Sequence, residues 1–303
     1  MNQTPMRNKF LVASVVLLLL GGGTIPVLAQ PITMEPEQVP GFWGNFGLIS
    51  NVIVSWNANV TEEPLIPRGE IRVVPLKCSF SVMYGVLGRL IHLLLRNHLV
   101  ILTVSIVEVP EWCTAVISQG NLSVLMPPDE ATIMTATTWL SVMVSDQAPA
   151  FELCPVKIQV TVEPRHGPFG FIPLLQGFTQ EFLITFIVGY KPLIQPSYPQ
   201  GNVIETPPLV QVKLTIGITN LGNGKTIVEN EVVNHPDGWV VSLPEQLILE
   251  VGERKEMNLS FVAPAGFSGE ASITVSYTPH SFDNYELVGQ TWYASFIAYY
   301  RPP

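Results

Sequence analysis

The sequence predicts an all-β protein made of two antiparallel sandwiches in tandem, and three observations predict it. Apolar and polar residues alternate over many short stretches, the two-residue period of half-buried strands. The chain is 47% hydrophobic and only 13% charged, with 27 prolines and 23 glycines among 303 residues, the profile of strands and turns rather than of helices or disorder. One phrase also occurs twice. VPEWCTAVIS begins at Val109 and HPDGWVVSLP at His235, each placing a proline and an acid ahead of a tryptophan.

From the N-terminus, residues 1–29 read as a signal peptide. Arg7 and Lys9 are the positive region, Phe10 to Leu20 the apolar region, and Val27 to Ala29 a small-residue cleavage signal. An uncleaved anchor is the rival, disfavoured by three glycines and Pro26 in any spanning helix. Residues 30–50 form an N-terminal segment. The first sandwich is expected over 51–192, a proline-rich linker over 193–208, and the second sandwich over 209–303, folding alone from about Asn202.

The boundaries rest on a duplication read outward from the tryptophans. Leu76, Cys78, Phe80 and Val82 alternate ahead of Trp112, as Val212, Leu214, Ile216 and Ile218 do ahead of Trp239. Behind them, Val156, Ile158, Val160 and Val162 match Ala271, Ile273, Val275 and Tyr277. Each unit ends on an aromatic strand, with Phe182, Phe186 and Tyr190 against Trp292, Phe296 and Tyr300. Some seven short strands per unit with frequent turns read as the immunoglobulin type of sandwich. Asn220 to Lys225 (NLGNGK) and Pro236 to Gly238 (PDG) read as turns supplying residues that tolerate positive φ. The tryptophan after PDG reads as a core lid.

The second unit, from Leu209 to Thr278, resembles the NPCBM-associated immunoglobulin-like domains of archaeal and bacterial surface proteins. NLGNG, PDGWVV, LEVGE at Leu249, FVAP at Phe261 and ITV at Ile273 carry the resemblance. It implies accessory domains that space, present or bind, often beside carbohydrate-active modules, and that do no chemistry. The first unit lacks the turn glycine and the GE pair.

Two features belong to the first unit alone. Residues 83–99 are an insert that predicts a short amphipathic helix, with Arg89, His92 and Arg96 on one face and Val86, Leu87, Leu90, Leu93 and Leu94 filling the rest. The loop after Pro164 carries Phe169, Phe171, Leu174, Leu175 and Phe178. Leu183 and Ile187 make the following strand apolar on its second face, so helix and loop are its expected covers. The loop is therefore either a private core layer or a docking patch for a protein or membrane partner.

Three cysteines follow the signal. In the register of the duplication Cys78 falls on Leu214, and Cys113 follows its tryptophan as Val240 follows Trp239. A Cys78–Cys113 disulfide is expected, leaving Cys154 free near the counterpart of Gly269, with Cys78–Cys154 as the rival. Sequons begin at Asn59, Asn121 and Asn258, candidate glycosylation sites in an exported chain.

No catalytic, cofactor-binding or metal-binding motif is present. The five histidines have no metal spacing, and Ser268 precedes a strand rather than following one in a nucleophile elbow. Asp237, Asp283 and Asn284 are weak calcium candidates that turn chemistry explains as well. Tyr293, Tyr299, Trp43 and Phe46 are the aromatic candidates for sugar stacking. The net charge of −9, more negative still after signal removal, argues against nucleic acid and anionic lipid. Two functions follow: a non-catalytic structural or interaction protein of the cell exterior, contacting an unidentified protein or envelope component, or a carbohydrate-binding accessory module.

Overall fold

A computed structural model of the chain describes residues 48–57, 59–67, 69–85, 88–166 and 173–302. The expected signal peptide lies outside these residues, as do Trp43, Phe46, Phe169 and Phe171. The first part comprises β1 (Leu48–Ser55), α1 (Asn59–Glu62), β2 (Arg72–Tyr84), α2 (Gly88–Leu95), β3 (Leu99–Glu108), β4 (Cys113–Ile117), β5 (Asn121–Leu125) and β6 (Met134–Val144). It continues with β7 (Leu153–Val162), β8 (Arg165–His166), β9 (Pro173–Leu175) and β10 (Phe178–Ile187). The second part comprises β11 (Ile194–Ser197), β12 (Val203–Glu205), β13 (Gln211–Asn220), β14 (Thr226–Asn234) and β15 (Val240–Ser242). It ends with β16 (Gln246–Leu249), β17 (Arg254–Val262), β18 (Gly269–Ser281) and β19 (Trp292–Tyr300).

Alternation builds the cores as expected. Leu76, Cys78, Phe80 and Val82 of β2 are fully buried, and so are Val156, Ile158, Val160 and Val162 of β7. Leu214, Ile216 and Ile218 of β13 face Ile273, Val275 and Tyr277 of β18 in a second, separate core. Trp239 is buried in that core, edge-on to Phe267 at 4.9 Å.

The two parts share one topology. The first stacks sheets β4-β6-β2-β1 and β10-β7-β3-β5; the second stacks β15-β17-β13-β11 and β19-β18-β14-β16. Strand for strand the orders correspond. The differences are β9 and β8 added beyond β1, and β12 added beyond β19.

The structure moves the boundaries. β1 starts at Leu48, inside the expected N-terminal segment. The expected linker is largely sheet: β11 pairs antiparallel with β13 from Ile194 opposite Asn220, and β12 pairs parallel with β19. Pro196 is tolerated because β11 is an edge strand, where a missing N–H costs no ladder bond. A second unit cut at Asn202 would lose this strand, so its natural start is near Leu193.

α2 lies within residues 83–99, and Asn97 in the left-handed conformation (φ 72°) ends it. It lies beside β1 and β2 rather than over β10, where α1 packs instead. Leu183 and Ile187 consequently stay exposed. Among the described residues no helix is long and apolar enough to cross a membrane.

Candidate functional site

α2 meets the amphipathic expectation only in part: Arg89 and Arg96 are exposed, but His92 between them is buried and three leucines are not. Gly88, His92 and Leu95, at i, i+4 and i+7, form the buried face. His92 stacks on Tyr84 with ring centres 4.8 Å apart, and its Nε2 donates to the Pro127 carbonyl at 2.6 Å. The buried imidazole is therefore satisfied, and burying it is not ruinous. Leu90, Leu93 and Leu94 point outward, 63%, 59% and 70% exposed. Met83 and Leu99, bracketing the helix in the chain, are exposed as well. Arg89 shares a shallow cleft with Tyr84, Asp129 and Glu130, so acids lie beside the helix's first cation.

The loop expected to be the docking patch behaves differently. Leu175 is fully buried opposite Leu48, and Leu174 and Phe178 pack on the first core. Phe169 and Phe171 lie outside the described residues. The described half is a lid, and the helix expected to cover displays the leucines.

The junction between the sandwiches is the second prominent site. NLGNG does not work through positive φ: neither Gly222, Asn223 nor Gly224 has it, whereas Gly238 of PDG does, at 78°. Asn220, fully buried, organises the loop. Its Oδ1 accepts the Gly222 N–H at 2.9 Å and its Nδ2 donates to the Gly224 carbonyl at 2.9 Å. Asn223 then reaches into the first unit. Its Nδ2 donates to the carbonyls of Ala148 (3.0 Å) and Gly189 (2.8 Å), and its Oδ1 accepts the Lys191 N–H (2.7 Å). Its own carbonyl accepts the Ala150 N–H at 3.0 Å.

Other groups reinforce this clasp. Tyr190, nearly buried, shares a 2.8 Å hydroxyl hydrogen bond with Thr226, and burial pushes its phenol pKa up. Lys191 pairs with Asp146 at 3.3 Å. Phe151 stacks on Tyr190 and holds φ at 65°, a conformation costly for a bulky side chain. The glycines permit close approach: a Cβ on Gly222 would lie 2.5 Å from the Lys191 carbonyl oxygen, and one on Gly224 2.9 Å from the Ala150 Cβ. Gly222→Ala is expected to cost about 1–3 kcal/mol, the range for overpacking against a fixed neighbour, read as a lowered midpoint in urea unfolding.

The expected Cys78–Cys113 bridge is corrected. All three cysteines are buried, and Cys78 and Cys113 are not bridged. Cys78 lies opposite Ala136 on β6 and Cys113 opposite Val144. Those positions are eight residues apart, about 27 Å along a strand, against the ~7 Å a bridge allows. The rival, Cys78–Cys154, fails with it, because Cys154 is in side-chain hydrogen-bond contact with Cys113. Burial pushes Cys78 up to about 11. In the pair, the mutual hydrogen bond raises the Cys154 thiol pKa and lowers that of Cys113.

The mismatch has a structural source. The Cys113 N–H bonds to the Pro110 carbonyl at 2.9 Å, and the Trp239 N–H bonds to Pro236 at 3.3 Å. Within these turns Cys113 stands where Trp239 stands, and Trp112 where Gly238 stands. Aligning the tryptophans therefore slips the register by one, and a one-residue slip exchanges the faces. Val240, the counterpart used for Cys113, is 67% exposed.

The three sequon asparagines are exposed, Asn59 on α1, Asn121 on β5 and Asn258 on β17. Asn121 and Asn258 use Oδ1 to accept threonine hydroxyls, from Thr103 and Thr215. On β19, exposed Tyr293 and half-buried Tyr299 are six residues apart, about 20 Å, too far for one stacking platform. Asn284 Oδ1 accepts the Glu286 N–H at 3.2 Å, the turn role. A polar cleft of about 270 Å³ on the second unit, lined by Glu229, Glu231, Glu245, Gln246, Ser276 and Thr278, was not legible in the sequence, because its residues come from three separate segments.

No family model matches the chain, and no curated protein does. Solved structures do match. A PapD-like domain of human CEP192 is 12% identical, with 36% of this chain and 86% of that one covered and a TM-score of 0.29. A protein of unknown function from Porphyromonas gingivalis W83 is 13% identical over 82% of this chain and 99% of that one, with a TM-score of 0.26. The E. coli chaperone DraB is 8% identical over 82% and 97%, also with a TM-score of 0.26.

Proposed function

We propose that this chain is a non-catalytic interaction protein of the cell exterior: two tandem immunoglobulin-like sandwiches, clasped at NLGNG, that present α2 to an apolar groove on a partner protein. The observation that carries this reading is the outward face of α2. α2 buries Gly88, His92 and Leu95 and leaves Leu90, Leu93 and Leu94 in solvent, apolar surface that none of the described residues covers. Its leucines fall at i, i+3 and i+4, the anchor spacing of a helix seated in a groove. Burying them would contribute about 2 kcal/mol each before the costs of association.

Protein is favoured over lipid as the occupant. The chain carries a net charge of −9, and Asp129 and Glu130 stand beside Arg89. Both weaken attraction to an anionic bilayer. The external location rests on the leader from Arg7 to Ala29, and the exposed sequon asparagines are compatible with it. The carbohydrate reading is weaker, because Tyr293 and Tyr299 form no continuous row.

Replacing Leu90, Leu93 and Leu94 with serine is expected to leave Tm within about 3 °C, since exposed positions carry little stability. The same variant should lose retention on the surface of producing cells. Retention equal to the native chain would overturn the reading. Native binding to protein-free vesicles, lost in the variant, would reassign the face to membrane.

A further inference from the structure

We infer that Cys113 and Cys154 are joined by a disulfide in the exported protein, a covalent tie between the two sheets of the first sandwich at the end that carries the second. Cys113 opens β4 in one sheet, and Cys154 is the second residue of β7 in the facing sheet. Both side chains point inward from facing sheets, 5% and 0% exposed. Cys113 lies opposite Val144, the last residue of β6, and the loop 145–152 leads from there directly to β7. The two inward positions therefore sit at one end of the sandwich, on either side of the same short connection. Cys78, the remaining thiol, is about 27 Å away along the strands.

The bridge would secure the loop that grips the second unit. Asp146, Ala148, Ala150 and Phe151 all lie between Val144 and Cys154: Ala148 and Ala150 hydrogen-bond Asn223 of the second unit, while Asp146 and Phe151 hold Lys191 and Tyr190, which in turn bond Asn223 and Thr226. Tying β4 to β7 fixes both ends of that loop against one another.

The chemistry is thiol–disulfide exchange while the core is still open. The Cys113 thiolate attacks one sulfur of an oxidant disulfide, expelling the other sulfur as a thiolate and forming a mixed disulfide. The Cys154 thiolate then attacks Cys113 Sγ and expels the second oxidant sulfur. Two protein thiols lose two electrons and two protons, and the oxidant disulfide becomes two thiols. The oxidant depends on the external location proposed above; the pairing does not.

Two samples separate these dependencies. In the first, the full chain is unfolded under reduction, refolded with oxidised glutathione, alkylated and mapped as peptides without reduction. A peptide pair joining Cys113 to Cys154, with Cys78 alkylated, is expected. Cys78 in the bridge, or three alkylated thiols, would overturn the pairing. In the second, the chain is taken from producing cells and alkylated at once. The same bridge is expected; free thiols here, beside a bridge in the first sample, would refute the external location and so the bridge in the native protein. Reduction should lower the Tm of the bridged chain by about 10 °C and leave that of Cys113→Ala unchanged. Equal shifts in both would contradict the bridge.

Discussion

Asn223→Ala is expected to uncouple the two sandwiches. The native side chain satisfies the carbonyls of Ala148 and Gly189 and the N–H of Lys191, in a position only 5% exposed. Alanine removes all three bonds and can replace none. Each orphaned buried group costs about 1–3 kcal/mol, so the junction should lose on the order of 5 kcal/mol. The cores themselves are untouched, because each is closed by its own strands. Calorimetry is expected to show one cooperative transition for the native chain and two for the variant, the first displaced downward. A single transition at the native temperature would show that the clasp contributes nothing.

Trp239→Ala and Trp112→Ala are expected to differ sharply, although the sequence writes both tryptophans in one phrase. Trp239 is 6% exposed and packs on Phe261 and Phe267. Its removal leaves a cavity in the smaller core and should cost about 3–5 kcal/mol. Trp112 stands at the turn position of Gly238 and is only partly buried, against the rim of the first core. Its loss should cost well under half as much. Urea unfolding of both variants decides the matter, and equal losses would restore the alignment that pairs the tryptophans.

Much of the fold was legible because burial in a strand follows a period of two. The inward rows of β2, β7, β13 and β18 are the rows that alternation marks, and PDG turns on a positive-φ glycine as its composition implies. Other features are set by partners distant in the chain. NLGNG reads as a turn, yet Gly222 and Gly224 are required by Lys191 and Ala150, which approach from outside the loop. Prolines suggested a linker where Pro196 occupies an edge strand.

The sites were less legible for similar reasons. Periodicity in residues 83–99 divides the helix into faces but does not say which face is buried. Tyr84 and the Pro127 carbonyl make that choice by accepting His92. Contact between Cys113 and Cys154 crosses from one sheet to the other, a relation that alternation within a strand does not encode.

The central claim is that α2 turns its leucines outward and that a partner on the cell covers them. Carbene footprinting of Leu90, Leu93 and Leu94, on the isolated chain and on producing cells, tests both halves in one measurement. The account predicts heavy labelling of all three in isolation and marked protection on cells, with Leu122 of the first core unlabelled in both. Leucines unlabelled in the isolated chain, or labelled equally on cells, would contradict it.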